Sequence, residues 1–409
     1  MIKETNINKQ LTIYKKELQN ELKNILTWWA AVTPDNINGG FYGKIDNDNQ
    51  ITAEAPKGSV LNARILWSFS AAYNHQTEPG YLEMAERAYQ YITNYFIDEE
   101  QGGVYWSVDY KGKPLDTKKQ VYAISFTIYA LSEYYRASKT EAAKQKAIDL
   151  FYLLVEKAYD PVKTGYFEAF KKDWKPIDDL RLSAKDANEK KTMNTHLHVL
   201  EGYTNLFRIW PDKALGEHIS SLLNNFFDHF IDKETHHLVL FFDEEWNRKG
   251  DLVSYGHDIE ATWLLLEAAK VIKDEESIKK IKKITIAMAD AVITGLDTDG
   301  GLWYEYEPAK DHLIKEKHWW VQAEAMVGFF NAWQISNDKK YLDIALKNWG
   351  FIKDKILDRK NGEWFWGIDE SGAVMQGEDK AGIWKCPYHN SRACMELMGK
   401  IVDWVDWVD

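Results

Sequence analysis

Two cysteines in 409 residues, Cys386 and Cys394, are too few for a disulfide framework, and their scarcity points to a reducing, cytoplasmic setting. No apolar run is long enough to span a bilayer, and the N-terminal MIKETNINKQL lacks the apolar core of a secretion signal. Positive charge is also in short supply. Against 63 Asp and Glu stand 51 Lys and Arg, a net charge of -12, which argues against a nucleic-acid partner or an anionic membrane surface. HExxH, CxxC pairs, EF-hand spacing, GxxxxGK[ST] and GxGxxG are all missing, so no motif announces a metal or a nucleotide. No linker or low-complexity segment divides the chain, and residues 1–409 read as one domain.

What the chain does have is apolar and aromatic material. It is 45% hydrophobic and 28% charged, enough to bury a sizeable core. It carries 18 Trp, 22 Tyr and 17 Phe. Much of that is core packing, but such a surplus also suits a cleft that stacks flat, half-apolar ligands such as sugar rings.

A glycine-aromatic phrase recurs along the chain. It stands at Asn38-Gly39-Gly40-Phe41-Tyr42, at Gly102-Gly103-Val104-Tyr105-Trp106 and at Thr164-Gly165-Tyr166-Phe167. It returns, degenerate, at Thr235-His236-His237-Leu238, then at Gly300-Gly301-Leu302-Trp303-Tyr304 and at Asn361-Gly362-Glu363-Trp364. The copies are spaced about 60 to 70 residues apart. Each reads as a short strand or hairpin with glycine at the turn. Between copies lie two stretches with apolar residues at helical spacing. The first of each pair covers roughly 57–77, 118–137, 191–208, 256–273 and 319–335. The second covers roughly 80–96, 140–157, 213–231, 276–293 and 338–356. One helix near 8–30 precedes the first phrase and one near 387–402 follows the last, so the chain starts and ends on complementary half-repeats.

Twelve helices in six pairs predict an all-α fold, an (α/α)6 barrel; an open solenoid is the alternative. The first-type helices are the less charged and belong inside. The second type carries Lys/Glu stripes and belongs outside. Every phrase then joins an outer helix's C-terminus to an inner helix's N-terminus, so the phrases and the inner-helix N-termini gather at one end.

Polar and aromatic residues stand at those inner-helix starts, where a core helix has little use for them. They are Arg64, Tyr122, Asn194 with His198, His257 with Glu260, Trp320 with Glu324, and His389. Asn194 and His198 are i,i+4, and His257 and Glu260 are i,i+3, so each pair shares a face. Pro387 as a first helical residue puts His389 in the opening turn. A lone histidine at a helix start is ordinarily a cap or a core partner. Three from three helices at one cavity mouth point to chemistry. His196 faces elsewhere and reads as structural; His236 and His237 lie in a phrase, and His75, His218, His229 and His312 as surface or packing residues. Arg64 is expected to orient substrate or to pair with Glu260 or Glu324.

Several chemistries compete at this point. A metal held by His198, His257, His389 and Glu260 stays open, because such a site assembles in space. Glycoside hydrolysis by Glu260 and Glu324 leaves three histidines without a task. A non-catalytic sugar- or partner-binding protein is a further reading. Proton transfer next to a carbonyl uses the whole set: a helix N-terminus lowers the imidazole pKa and leaves a neutral base at physiological pH.

The phrases Leu61-Asn-Ala-Arg64, Asn194-Thr-His-Leu-His198, Gly256-His257-Asp-Ile-Glu260, His318-Trp-Trp320-Val-Gln-Ala-Glu324 and Trp384-Lys-Cys-Pro-Tyr-His389 resemble the N-acylglucosamine 2-epimerase superfamily, in its cellobiose 2-epimerase branch, over essentially the whole chain. The resemblance implies an (α/α)6 barrel that needs no cofactor and no metal. Its substrate would be a small β-1,4 disaccharide, epimerised at C2 of the reducing glucose through a cis-enediolate. It implies His257 and His389 as the acid/base pair, Arg64 and His198 at the O1/O2 oxygens, and Glu260 orienting a base or holding a hydroxyl. Tyr122, Asp186, Asn194 and Trp320 would surround the reacting sugar, Trp384 would stack on it, and Trp303 would platform the distal unit. N-acylglucosamine 2-epimerase and mannose-type aldose-ketose isomerases are the in-family alternatives, and a monomer or weak homodimer is expected. Activity measured against pH separates the chemistries: two-histidine proton transfer fails at acid pH, whereas carboxylate-driven hydrolysis prefers mild acid.

Overall fold

The computed structural model describes residues 2–408, with side chains from 7 to 402. Twelve α-helices follow one another in pairs. They are α1 (Ile2–Val32), α2 (Ser59–His75), α3 (Pro79–Tyr91), α4 (Val121–Ser138), α5 (Glu141–Lys157) and α6 (Met193–Ile209). The second half comprises α7 (Lys213–Asn225), α8 (Tyr255–Val271), α9 (Glu275–Val292), α10 (Trp319–Ser336), α11 (Lys339–Phe351) and α12 (Tyr388–Val408). The even-numbered helices pack on one another in sequence, and α12 returns to pack on α2, so the inner ring closes. Each odd-numbered helix lies outside against its inner partner, with α1 on α12. This is the (α/α)6 barrel that the repeat predicts, not the open solenoid.

Burial explains the two layers. Inner α4 is buried without interruption from Val121 to Tyr134, because its neighbours and α5 cover it on all sides. Outer α7 buries only a stripe, Leu215, Ile219, Leu222 and Leu223, and turns Lys213 and Glu217 to solvent. Inner helices approach closely where a side chain is missing. A Cβ on Gly202 of α6 would sit 2.7 Å from the Ser125 carbonyl oxygen of α4. The outer helices α3, α7 and α11 end in a wide π-helical turn, at Ile92–Phe96, Phe226–Phe230 and Ile352–Ile356, which the periodicity reads as uninterrupted helix.

The six phrases are six copies of one loop. In each, the N–H of an aspartate donates across the turn: Asp35 to Gly40, Asp98 to Gly103, Asp160 to Gly165, Asp232 to His237, Asp297 to Gly301 and Asp358 to Glu363. Glu363, not Gly362, therefore stands where Gly40 does. A two-residue strand before the inner helix pairs with the next phrase's strand, as Lys119–Gln120 does with Ala169–Phe170. In four copies that strand opens with a lysine whose ammonium turns back to the phrase aspartate. The pairs are Lys57–Asp35 at 2.8 Å, Lys119–Asp98 at 2.6 Å, Lys191–Asp160 at 2.8 Å and Lys317–Asp297 at 2.6 Å. Lys380–Asp358 repeats the device before α12.

The fourth copy departs. Val253 replaces the lysine, Asp232 pairs with the partly exposed Arg248, and His237 donates instead to Asp258 in the first turn of α8, at 2.7 Å. That substitution explains why the fourth phrase is degenerate in sequence.

Lys119 and Asp98 are both fully buried, so Asp98→Ala strands an ammonium without water or partner. It is expected to cost about 3–5 kcal/mol in chemical denaturation. Lys339→Ala removes an exposed i,i+4 pair with Asp343 and is expected to cost under about 1 kcal/mol in the same assay.

Candidate functional site

A cleft of about 360 Å³ opens on the barrel axis at the phrase end. All six inner helices supply it: Arg64 from α2, Tyr122 from α4, Asn194 and His198 from α6, His257 and Glu260 from α8, Trp320 from α10, and His389 from α12. Trp384, just before α12, and Asp186, in the irregular segment between α5 and α6, complete the wall. Side chains separated by more than 300 positions in the chain thus share one cavity. Trp303 is not among the residues lining it; its neighbours Tyr304 and Glu305 are.

Each of the three histidines is held by its Nδ1. His198 Nδ1 lies 2.9 Å from Glu201 Oε2, His389 Nδ1 lies 2.7 Å from Glu324 Oε1, and His257 Nδ1 lies 2.8 Å from the Ser254 hydroxyl. Nε2 of each ring is the nitrogen left for the cleft. Desolvation holds all three imidazoles below their ordinary range: His257, half-buried where it lines the cleft, falls to about 3, with His198 adding to the effect. For His389 burial is reinforced by Arg64 and Arg392, and for His198 it outweighs the favourable Glu201 carboxylate. In each ring desolvation favours the neutral form.

Arg64 does not pair with Glu260 or Glu324, as one sequence reading has it. Its Nη2 donates to the Tyr122 hydroxyl at 2.6 Å, its guanidinium lies 4.2 Å from the Phe126 ring centre, and its Nε is buried without a partner. The carboxylates belong to Arg392, on α12, which the sequence reading passed over. Arg392 Nη2 donates to Glu260 at 2.7 Å and to Glu324 at 2.6 Å, while Nη1 reaches Glu201 and the Tyr388 hydroxyl. Burial pushes both Glu260 and Glu324 up, and the charge of Glu324 pushes Glu260 further. Glu201 is held at about 2 by Arg392 and by the His198 contact. Glu260 touches neither His257 nor His389 in this network; Glu324 is the carboxylate that orients a base.

Among the described residues, Glu260, Glu324 and His389 could converge on one cation. Arg392 already donates to both carboxylates there, so the donor set is engaged by a guanidinium. The same arginine draws the two carboxylates together instead of letting them flank a glycosidic bond.

Further groups line the cleft that sequence spacing did not flag. Glu168, fully buried, accepts from the hydroxyls of Thr192 and Thr195 at 2.8 and 2.6 Å, which secures the first turn of α6, and burial raises it to about 8. Tyr304 stacks on His318 with ring centres 4.0 Å apart. Asn194 turns a buried Oδ1 that has no partner. The histidines that read as structural are so: His196 Nε2 accepts from the Tyr166 N–H at 2.8 Å, and its Nδ1 meets the Thr192 carbonyl.

A closed helical barrel with neutral, water-excluded imidazoles and an arginine around one cleft defines an enzyme suited to moving protons on a small polar molecule. The sequence profile of the N-acylglucosamine 2-epimerase family matches residues 40–393. A cellobiose 2-epimerase from Bacteroides fragilis is 48% identical over 95% of this chain and 99% of its own length. One from Dictyoglomus turgidum is 38% identical over 96% of this chain and all of its own. The solved cellobiose 2-epimerase of Bacillus thermoamylovorans superposes with a TM-score of 0.91 at 40% identity, covering 95% of this chain and all of that one. The chain belongs to the N-acylglucosamine 2-epimerase family and is a carbohydrate epimerase of the isomerase class.

The buried groups give the folding stability two opposite pH dependences. Unfolded histidine binds a proton below about pH 6.5 that folded His257 refuses until about 3, so it subtracts stability as pH falls below 6.5. Folded Glu168 keeps its proton to about 8, so it subtracts stability as pH rises from about 4.5. His257→Asn should therefore lose less stability than the parent between pH 7 and 5, and Glu168→Gln less between pH 5 and 8, both read from denaturation midpoints.

Proposed function

We propose that the protein reversibly epimerises C2 of the reducing-end glucose of β-1,4-linked disaccharides, taking cellobiose to 4-O-β-glucosyl-mannose and lactose to epilactose without a cofactor. The observation that carries this reading is the set of three imidazoles, each anchored at Nδ1 and neutral through burial, around an arginine that faces the same cleft. The 48% identity to a cellobiose 2-epimerase supports the substrate class.

In this reading His257 and His389 are the acid/base pair: one neutral ring removes the C2 proton of the open-chain aldose, and the other, once it has taken a proton from solvent in the cleft, returns that proton to the opposite face. His389 also assists ring opening, and its imidazolium is stabilised by Glu324. The cis-enediolate carries negative charge at O1 and O2, where the fixed charge of Arg64 stabilises it without reorganising, while Nε2 of His198 accepts from the enediol hydroxyl there. Asn194 Oδ1, buried and unpartnered, accepts from a sugar hydroxyl, as does Asp186. Trp320 and Trp384 supply the flat faces against which the rings lie. Tyr304 lines the cleft where the sequence reading had placed Trp303, and so takes over as platform for the distal unit. Glu260, bound to Arg392, keeps that arginine in place and is not free to act as a hydrolytic acid. A reducing cytoplasm suits Cys386 and Cys394, which are buried free thiols.

Incubation with cellobiose and excess EDTA in D2O, followed by NMR, tests the reading. Glucosyl-mannose with deuterium at C2 is the expected product. Free glucose would overturn it in favour of a hydrolase, and a ketose in favour of an aldose-ketose isomerase. His257→Asn and His389→Asn should each lower kcat by roughly 10² to 10⁴ while the fold, read by circular dichroism, is kept.

A further inference from the structure

One guanidinium, 1% exposed, lies beneath the cleft and reaches carboxylates from three different helices: Glu201 on α6, Glu260 on α8 and Glu324 on α10. Two of those three carboxylates hold imidazoles. Glu201 holds His198 and Glu324 holds His389, in both cases at Nδ1. Glu324 accepts from Arg392 at Oε1 and from the Trp263 indole N–H, 3.1 Å away, at Oε2, and His389 Nδ1 lies 2.7 Å from Oε1. Burial works against the charged form of Glu324, and the Arg392 guanidinium works for it; against the ionised carboxylate, Nδ1 carries the hydrogen. His257 lies outside the device, because its Nδ1 partner is a serine hydroxyl that accommodates either tautomer.

We propose that Arg392 is a positioning residue, resting on the epimerase reading above: by bridging Glu201, Glu260 and Glu324 it locks His198 and His389 together in the Nδ1–H tautomer, so that both present a basic Nε2 to the sugar. Arg392 itself does not touch substrate. Without it, three buried carboxylates from neighbouring helices would repel one another and one or more would take up a proton. A protonated Glu324 or Glu201 no longer requires a hydrogen on Nδ1 and leaves the ring free to turn its basic nitrogen away from the cleft. A wrong tautomer on an acid/base histidine is costly even when the ring stays in place.

The groups facing this cluster are Arg64 on α2, Tyr122 and Tyr129 on α4, His198 and Glu201 on α6, His257 and Glu260 on α8, Glu324 on α10, and Tyr388 with His389 on α12. Arg64 and Arg392 are the cations of the set, and both disfavour the imidazolium form of His198 and His389.

Arg392→Met and Arg392→Lys separate charge from geometry. In the methionine variant, which loses both the charge and the fork, kcat should fall further than in the lysine variant. In the lysine variant, which keeps the charge but loses the fork, the acid limb of the activity profile should stay while kcat falls roughly 10- to 100-fold and KM moves less than about threefold. The direct readout needs no substrate. In protein labelled with ¹⁵N-histidine, wild-type His198 and His389 should each show a protonated Nδ1 and a bare Nε2, and Arg392→Met should mix or reverse that pattern at both while sparing His257. A folded Arg392→Met with the wild-type histidine spectrum overturns the proposal, as does a wild-type spectrum that already shows Nε2–H at either ring. Should the methionine variant not fold, the histidine spectra of Arg392→Lys and Glu201→Gln decide in the same way. If cellobiose is not turned over, the functional reading fails, and the histidine spectra alone judge the role of Arg392.

Discussion

The buried Lys–Asp pair ties the end of one outer helix to the start of the next inner helix, and the cleft depends on that tie. Lys57, Lys119, Lys191 and Lys317 each sit at the last extended residues before an inner helix, and each reaches back to the aspartate that opens the phrase before it. Breaking such a pair would leave a charge in a dry place, which is far costlier than losing an ion pair at the surface. The inner-helix N-termini are thereby fixed in height as well as in order. Residues in the first two turns of six helices then meet at one depth.

The same exclusion of water governs the chemistry. Desolvation keeps His198, His257 and His389 below the ordinary imidazole range, which favours the neutral ring. It also makes every nearby carboxylate expensive unless a cation or a set of donors is supplied. Arg392 is that cation, and Glu201, Glu260 and Glu324 are oriented by it from three sides. Arg64 stands apart from this arrangement: it donates to Tyr122, lines the cleft and pairs with none of these carboxylates. Two arginines that look alike in sequence are therefore placed differently: one is engaged by the protein's own carboxylates, and the other lines the cleft.

Much of the fold is legible in the linear chain, because repetition is a one-dimensional property. The phrases, the two kinds of helix and the half-repeats at the ends need no coordinates to be seen, and they lead to the closed ring. The repeated aspartate is equally legible, five residues before Gly40, Gly103 and Gly165, although its buried lysine partner is not. The histidines at inner-helix starts were also legible, since helical spacing from a capped end fixes their height. Trp303 shows the limit of that logic. Tyr304 and Glu305, the next two residues, line the cleft and Trp303 does not, a placement that spacing along the chain does not fix.

Arg392 marks the division more sharply. From sequence it is one basic residue on the last helix, four positions beyond Tyr388 and three beyond His389, with nothing to connect it to Glu201, nearly two hundred residues earlier. The sequence by itself determined the barrel, the end at which the site lies and most of the side chains that reach it, because all of these follow from local periodicity and from position along a helix. Which carboxylate serves which histidine, which arginine faces the substrate and why the bases are neutral were decided only by tertiary structure. Those depend on the distance between charges on different helices and on the removal of water from among them, and neither quantity exists until the ring has closed.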